Sequence, residues 1–222
     1  MPKRTRDEAD ESRLLNNCTQ VATIIVGEQK KEWSIPTDLL CFHSAYFRRA
    51  LRGKFAEAEE QKVELRDTEP LIFELVVEWL YTHSIGMHLS YKTVTDMNVS
   101  FGKLLDAWLL ADYLQITKLQ NVLIRSMSCR VTELRYVPVK ELNRVQGILG
   151  GRSPLYDWIM DVCAWGAGVY DEFITDCLDE SALDILGQVC GILSSEVHSP
   201  DRFPFNDNYL SREIEDESED SP

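Results

Sequence analysis

Four histidines, His43, His83, His88 and His198, are the side chains of this sequence best suited to proton transfer or metal binding near neutral pH. Two histidines that chelate a metal from one helix stand four residues apart, whereas His83 and His88 are five apart and flank Gly86. The six cysteines include no Cys-x-x-Cys pair that would add thiolate ligands. The sequence therefore predicts neither a metal site nor a cofactor.

The glycine-rich stretch from Gly147 to Ser153 is superficially like a phosphate-binding loop. It lacks the G-x-x-x-x-G-K-[ST] spacing and follows no apolar strand, so it is predicted to be a linker between helices. The G-x-S-x-G motif of a nucleophile elbow is absent as well. An enzyme in the C-terminal region would have only scattered His, Asp and Cys residues, so the chain is predicted to have no catalytic residue and no small-molecule substrate.

The elements that must position any site follow from the apolar spacing. Alternating or β-branched runs predict strands, the first two joined as a hairpin, at Val21–Val26, Trp33–Ile35 and Val63–Leu65. Apolar residues at three- and four-residue steps predict helices over 37–53, 70–82 and 101–128, then at about 155–165, 169–178 and 183–193. The last of the long helices is expected to break near Tyr113–Thr117. Residues 55–61 are interpreted as a charged connector.

The predicted helix over 70–82 is apolar on more than one face, from Leu71 to Tyr81, so it should be buried between other elements. Asp67 or Thr68 is predicted to cap it. Aromatic residues at helical spacing usually fill cores, and this interpretation is given to Trp79, Tyr81, Trp108, Trp158 and Trp165.

The net charge restricts the partners. Lys and Arg number 23 against 37 Asp and Glu, which gives −14, and removing the six carboxylates of residues 213–222 still leaves −8. Such a chain repels nucleic acid and anionic membrane surfaces, so neither is expected as a partner. The cysteines are interpreted as small core residues. No signal-peptide pattern or long apolar run is found, and a cytoplasmic or nuclear location, or both, is expected.

Six pieces of sequence, in one order, resemble the BTB/POZ domain. They are Val21–Gly27; Leu39-Leu40-Cys41-x-x-Ser44-Ala45-Tyr46-Phe47; Gly53-x-Phe55-x-Glu57; Val63-x-Leu65; Phe73-x-x-x-Val77-x-Trp79-Leu80-Tyr81; and Leu110-Ala111-Asp112-Tyr113-Leu114 with Leu119-Gln120-Asn121. The resemblance implies an α/β (α+β) fold in which a small sheet is wrapped by helices, followed by a mostly α-helical C-terminal extension. The expected organisation is a polar, disordered N-terminus at 1–20, the domain at 21–128, the extension at 129–197 and an acidic disordered tail at 198–222.

The chain is most similar to small fungal BTB proteins, whose helical extension often has segments like Ser153-Pro154-Leu155 and Asp161–Trp165. It departs from the family at Val21 and at Pro36-Thr37, where many members have an Asp and a His-Lys pair that form a charged pocket. Corepressor recruitment through that pocket is therefore not expected. The segment before Val21 offers only Leu14 and Leu15 among polar residues, so dimerisation by strand exchange stays open.

The resemblance also implies a function, non-catalytic protein–protein interaction. In family members that are substrate adaptors for Cullin-3 ubiquitin ligases, a hydrophobic residue, any residue and a Glu form part of the cullin contact. Phe55-Ala56-Glu57 matches this pattern. Two alternatives stay open: Phe55 packs against its own loop and Glu57 is one solvated charge, or the chain is a homo- or hetero-oligomerising scaffold unrelated to ubiquitin.

Overall fold

The computed structural model describes residues 20–85, 100–134, 138–149 and 153–169. The strands are β1 (Val21–Val26), β2 (Lys31–Pro36) and β3 (Lys62–Leu65). The helices are α1 (Thr37–His43), α2 (Ala45–Arg52), α3 (Ala56–Glu60), α4 (Pro70–Thr82), α5 (Phe101–Tyr113), α6 (Thr117–Leu134), α7 (Val139–Leu149) and α8 (Pro154–Val169). The described residues fall into two compact units: the first holds 20–85 and 106–122, and the second holds 100–105 and 123–169.

The sheet of the first unit has the strand order β2-β1-β3. β1 pairs antiparallel with β2, so that Ile24 is opposite Trp33, and parallel with β3, so that Ile24 is also opposite Val63. Gly27 ends β1 with φ +72°, and a Cβ there would lie 3.1 Å from the Thr68 carbonyl oxygen. Both the backbone conformation and the close approach favour glycine at this turn. The predicted hairpin and strands are confirmed.

One face of the sheet packs against α4. Alternate residues of β1, Ala22, Ile24 and Val26, are fully buried because successive side chains of a strand point to opposite faces. Phe73 of α4 is fully buried and meets Trp33 edge to face, with ring centroids 5.1 Å apart. Part of the core of this unit therefore lies between the sheet and α4.

Burial of α4 is incomplete at its two ends. Six of its residues are buried, among them Phe73 and Trp79, whereas Leu71 is 38% and Tyr81 49% exposed. The predicted burial of this helix is therefore confirmed for most of its length, whereas Leu71 is exposed and the interpretation of Tyr81 as a core residue is wrong. The predicted cap is also wrong, because the N-cap residue is Glu69, which makes no side-chain capping hydrogen bond.

Ser44 divides the region predicted to hold one or two helices. Its hydroxyl accepts a hydrogen bond from the Phe47 N–H at 3.0 Å, which caps α2, and donates one to the Leu114 carbonyl at 2.6 Å. Leu114 lies in the break between α5 and α6, where the sequence predicted it. A single buried hydroxyl thus ties the start of α2 to a turn 70 residues away.

Two segments predicted to be non-helical contain helices. The charged connector at 55–61 contains α3, and the predicted linker that starts at Gly147 lies partly in α7, which continues to Leu149. Helix α6 also extends past the predicted end at 128 to Leu134. α3 has no buried residue and lacks the apolar spacing on which the predictions depended. α7 has Leu142 and Val145 buried three residues apart, and its end was missed because Gly147 was interpreted as the start of a linker.

The second unit is helical where it is described, and α8 is its most buried element. Trp158 is fully buried and stacks on Phe101, with ring centroids 6.3 Å apart. The Ser153 hydroxyl accepts a hydrogen bond from the Tyr156 N–H at 3.1 Å, which caps α8 immediately before Pro154. The helix predicted at 155–165 is confirmed, whereas the helical stretches expected beyond residue 169, the termini 1–19 and the tail at 198–222 lie outside the described residues.

Several negative findings apply only to these described ranges. No helix within them is long and apolar enough to cross a membrane. No group of three or more His, Cys, Asp or Glu side chains within them is arranged to hold a metal ion. Cys41 and Cys163 are buried, as expected of core residues, but Cys129 is exposed, so that interpretation is wrong for Cys129.

Asp157 in the first turn of α8 is expected to make the stability of the second unit depend on pH. Burial, and then the neighbouring Asp161, raise its pKa above the ordinary value of about 3.9. A carboxyl group whose pKa is higher in the folded state binds its proton more tightly there than in the unfolded chain. The free energy of unfolding therefore falls as pH rises from about 3.9 through the raised pKa. Asp157→Asn should remove this loss and change stability by no more than about 0.5 kcal/mol at neutral pH, because the carboxyl is largely solvated.

Chemical denaturation of wild type and Asp157→Asn at pH 3.5 and pH 7 checks this expectation. The stability of the variant relative to wild type should be higher at pH 7 than at pH 3.5. Equal differences at the two pH values would contradict it.

Candidate functional site

Phe55 lies between α2 and α3 and presents its ring to solvent. Its backbone is extended, with φ −99° and ψ 164°, and it is the N-cap residue of α3. With 64% of its surface exposed, it is the most exposed large apolar side chain among the residues that the structure describes. The alternative that Phe55 packs against its own loop is disfavoured, because most of the ring faces water.

Gly53 permits the close turn that precedes Phe55. A Cβ at this position would lie 2.3 Å from the Arg49 carbonyl oxygen and 3.3 Å from Cδ2 of Phe55. The first distance is far inside van der Waals contact, so any side chain would force the backbone after α2 to move. Absence of a side chain at Gly53 therefore contributes to where Phe55 sits.

Glu57 lies in the first turn of α3 and is exposed, like Glu59 and Glu60. Acidic residues in the first turn of a helix are favoured by the partial positive charge of the helix N-terminus. Glu57 also lies close enough to Tyr46 for its negative charge to contribute to raising the pKa of that phenol. Glu57 therefore lies near Tyr46 of α2 as well as at the surface.

Tyr46 and Tyr113 extend this surface. Their ring centroids are 5.1 Å apart and their hydroxyl oxygens 3.5 Å apart. Burial, followed by the hydrogen bond with Tyr113, raises the pKa of Tyr46, so its phenol is neutral at physiological pH. Tyr113 is 58% exposed. Beside this pair, Nη2 of Arg49 donates to Oε1 of Gln115 at 2.6 Å.

Tyr46, Phe55, Glu57 and Tyr113 are here together called the aromatic–acidic patch: Tyr46 contacts Tyr113, the charge of Glu57 acts on Tyr46, and Phe55 precedes Glu57 by two residues. The patch is only partly visible in the sequence. Phe55 and Glu57 were predicted from the resemblance, whereas the tyrosines were not. Tyr46 and Tyr113 are 67 residues apart, and no local spacing rule brings them together. The buried Ser44–Leu114 hydrogen bond and the Arg49–Gln115 hydrogen bond both join α2 to the turn after Tyr113, and neither can be inferred from sequence spacing.

The chemistry available to the aromatic–acidic patch is that of binding. Exposed aromatic rings anchor in pockets of a partner, and a carboxylate at the rim sets orientation and association rate. Burial and the hydrogen bond with Tyr113 raise the pKa of the Tyr46 phenol, which makes this hydroxyl a poor nucleophile at neutral pH. His43 and His83, for which the sequence predicts no metal site, have ring centroids 5.5 Å apart. Both rings lie edge-on to the buried Trp79.

Comparison with known protein families identifies the family of this domain. The model of the BTB/POZ domain matches residues 13–128, a little more than half of the chain, and includes the whole patch. The chain belongs to the BTB/POZ family. The fold of this family is a protein-interaction fold, with which the exposed aromatic–acidic patch agrees.

Individual relatives of this BTB/POZ protein are distant. Kelch-like protein 30 of Homo sapiens is 26% identical over 150 residues, which are 68% of this chain and 24% of the relative. Kelch-like protein 30 of Mus musculus is 27% identical over 152 residues, again 24% of its length. The chain therefore matches about a quarter of the length of these relatives. Among solved structures, the BTB domain of human Gigaxonin has a TM-score of 0.38 and 16% identity, covering 56% of this chain and 95% of that one.

Proposed function

We propose that this BTB/POZ protein is a non-catalytic substrate adaptor that binds Cullin-3 through the aromatic–acidic patch. The observation that carries the proposal is the ring of Phe55, 64% exposed and two residues before an exposed Glu57. The similarity of the chain to Kelch-like proteins supports a cullin as the class of partner. We propose further that the helical extension at 129–197, which contains Ser153-Pro154-Leu155, is of the type found in small fungal BTB proteins.

The patch has features that suit a protein partner better than a small molecule. Its aromatic rings lie on a surface and not in an enclosed cavity, and they come from separate helices, α2 and α5, and from the start of α3. A partner that covers Phe55 and Tyr113 together would remove water from two mostly exposed rings. Burial of this kind at the centre of an interface, with a charged rim, is typical of protein–protein contacts.

Affinity measurements with purified Cullin-3 test the proposal. The wild-type chain should bind at micromolar concentration or tighter, and Glu57→Lys should weaken binding by about fivefold to tenfold, mainly through slower association. Glu28→Lys is the matched control, because it makes the same charge change as Glu57→Lys. Glu28 follows the C-terminal end of β1, where Gly27 hydrogen-bonds to Leu65, whereas the segment that carries Glu57 adjoins the N-terminal half of that strand through Gln61 and Thr23. That control should bind like wild type.

Two outcomes would count against this function. If wild type shows no binding at micromolar concentration, the adaptor proposal fails. Light scattering then tests the alternative, a self-associating scaffold unrelated to ubiquitin, because a strict monomer would exclude self-association. If Glu28→Lys weakens binding as much as Glu57→Lys, the effect is one of overall charge and not of the patch.

A further inference from the structure

Helix α3, which starts directly after Phe55 and contains Glu57, has no buried side chain of its own. It is only five residues long. Isolated helices of this length do not form in water, because nucleation costs more than a single turn returns. Something outside the helix must therefore fix the position of the segment that carries the patch.

Gln61 lies at the C-terminal end of α3 and makes three hydrogen bonds to the segment before it. Its backbone N–H donates to the Glu57 carbonyl. Its side-chain Nε2 donates to the Ala58 carbonyl at 2.7 Å and to the Leu51 carbonyl at 3.0 Å. One amide group thus joins the middle of α3 to the last turn of α2.

The remaining polar atoms of Gln61 face the opposite direction. Its Oε1 accepts a hydrogen bond from Oγ1 of Thr37 at 2.9 Å, and Thr37, the first residue of α1, is only 3% exposed. Its backbone carbonyl accepts from the Thr23 N–H of β1 at 2.8 Å. Gln61 therefore contacts α1, α2, α3 and β1 at once.

The chemistry of this position requires a carboxamide. Two carbonyl oxygens must receive N–H donors while one hydroxyl needs an acceptor, and Gln supplies both. Glu has the same shape but no N–H group, so it would place a carboxylate against two carbonyl oxygens. Gln61 also has φ 50°, a left-handed conformation that is unfavourable for residues with a Cβ. Its hydrogen bonds hold it there against the backbone preference.

We infer that Gln61 is the positioning residue of the aromatic–acidic patch, which it serves by fastening α3 to the fold without touching the partner. The part of this inference that concerns partner affinity rests on the proposed function, whereas the fastening of α3 does not. A neutral carboxamide at this position sets where Phe55 and Glu57 are presented.

Hydrogen exchange of the peptide covering residues 54–62, read by mass spectrometry, tests the inference in the full chain. Gln61→Glu should speed exchange of this peptide by about tenfold, since the hydrogen bonds of its side-chain donors are lost. Gln29→Glu is the matched control, because Gln29 is exposed in the β1–β2 turn and the charge change is identical. Thr37→Val, which removes only the hydroxyl that orients the Gln61 amide, should give an intermediate increase.

The same variants are then measured for affinity to Cullin-3, with an expected order of wild type and Gln29→Glu, then Thr37→Val, then Gln61→Glu. Unchanged exchange of 54–62 in Gln61→Glu would overturn the inference whether or not Cullin-3 binds. Absence of wild-type binding, with faster exchange in Gln61→Glu, would overturn the adaptor function and support the fastening. If Gln61→Glu does not fold, Thr37→Val is the variant that tests the inference. Hydrogen exchange of residues 54–62 in Thr37→Val equal to that of wild type would then overturn it.

Discussion

Phe55→Ala should weaken binding to Cullin-3 by about 30-fold or more, equivalent to about 2 kcal/mol. Phe55 is the most exposed large apolar residue of those described, so a partner that accepts it buries the 64% of its surface that faces water. The free protein should hardly change, because truncation of an exposed side chain usually alters stability by less than about 0.5 kcal/mol. Titration calorimetry for affinity and thermal unfolding for stability separate the two effects.

Ile148→Ala is the control for Phe55→Ala, because Ile148 is also an exposed apolar side chain, at 55%, and lies in the second unit. It should bind Cullin-3 like wild type. If Phe55→Ala retains wild-type affinity while wild type binds, Phe55 is not the anchor, and the contact must lie elsewhere on the domain.

Phe73→Ala should lower the free energy of unfolding by about 3–5 kcal/mol, the range expected when a fully buried aromatic side chain is truncated. Phe73 is fully buried, packs edge to face on Trp33, and comes from the helix that covers the sheet. Loss of its ring leaves a cavity between α4 and the sheet that rigid strands cannot close. Since small domains are stable by only about 5–15 kcal/mol, much of the total would be lost.

Urea denaturation followed by circular dichroism measures this change, because fluorescence of Trp33 would respond to the missing ring itself. Leu71→Ala is the control on the same helix: Leu71 is 38% exposed and should lose less than about 1.5 kcal/mol. Equal losses in the two variants would mean that α4 is not the cover of the core.

The elements of the fold could be predicted well where burial makes apolar residues follow a recognisable pattern along the sequence. In β1 the alternate residues Ala22, Ile24 and Val26 are buried and Ile25 is buried as well, so its β-branched run, and not a strict alternation, identified the strand. α4 is apolar on more than one face because it is buried between other elements. The bounds of α4 were predicted to the residue, since Pro70 starts it and the apolar run ends at Thr82. Its exposed ends were not predicted, because composition does not show which residues of an apolar helix extend past the neighbouring element.

Two helices were missed in whole or in part, each for its own physical reason. The five residues of α3 include Glu57, Glu59 and Glu60 and none is buried, so hydrophobic spacing carries no information about them. The position of that helix depends on the hydrogen bonds of Gln61 with Leu51, Thr37 and Thr23. These residues lie 10 to 38 positions from Gln61 in the sequence. Helix α7 contains Gly147, which lowers helix propensity without preventing a helix.

The candidate site could be predicted in part. Phe55-Ala56-Glu57 was found through the resemblance, and its role as a cullin contact stays a prediction. Tyr46 and Tyr113 were also within resembling segments, but nothing in the sequence showed that their rings meet at 5.1 Å. Pairs that form across a fold are set by the packing of whole elements, which a single sequence does not specify.

Because α3 makes no buried contact of its own, the patch is not a linear epitope. A synthetic peptide of residues 53–62 would not reproduce it, as neither the helix nor the placement of Phe55 survives without Thr37, Leu51 and Thr23. A partner that recognises the patch consequently selects correctly folded copies from nascent or damaged ones. By mass action it also protects those copies against unfolding, in proportion to the logarithm of its own concentration once the site is saturated.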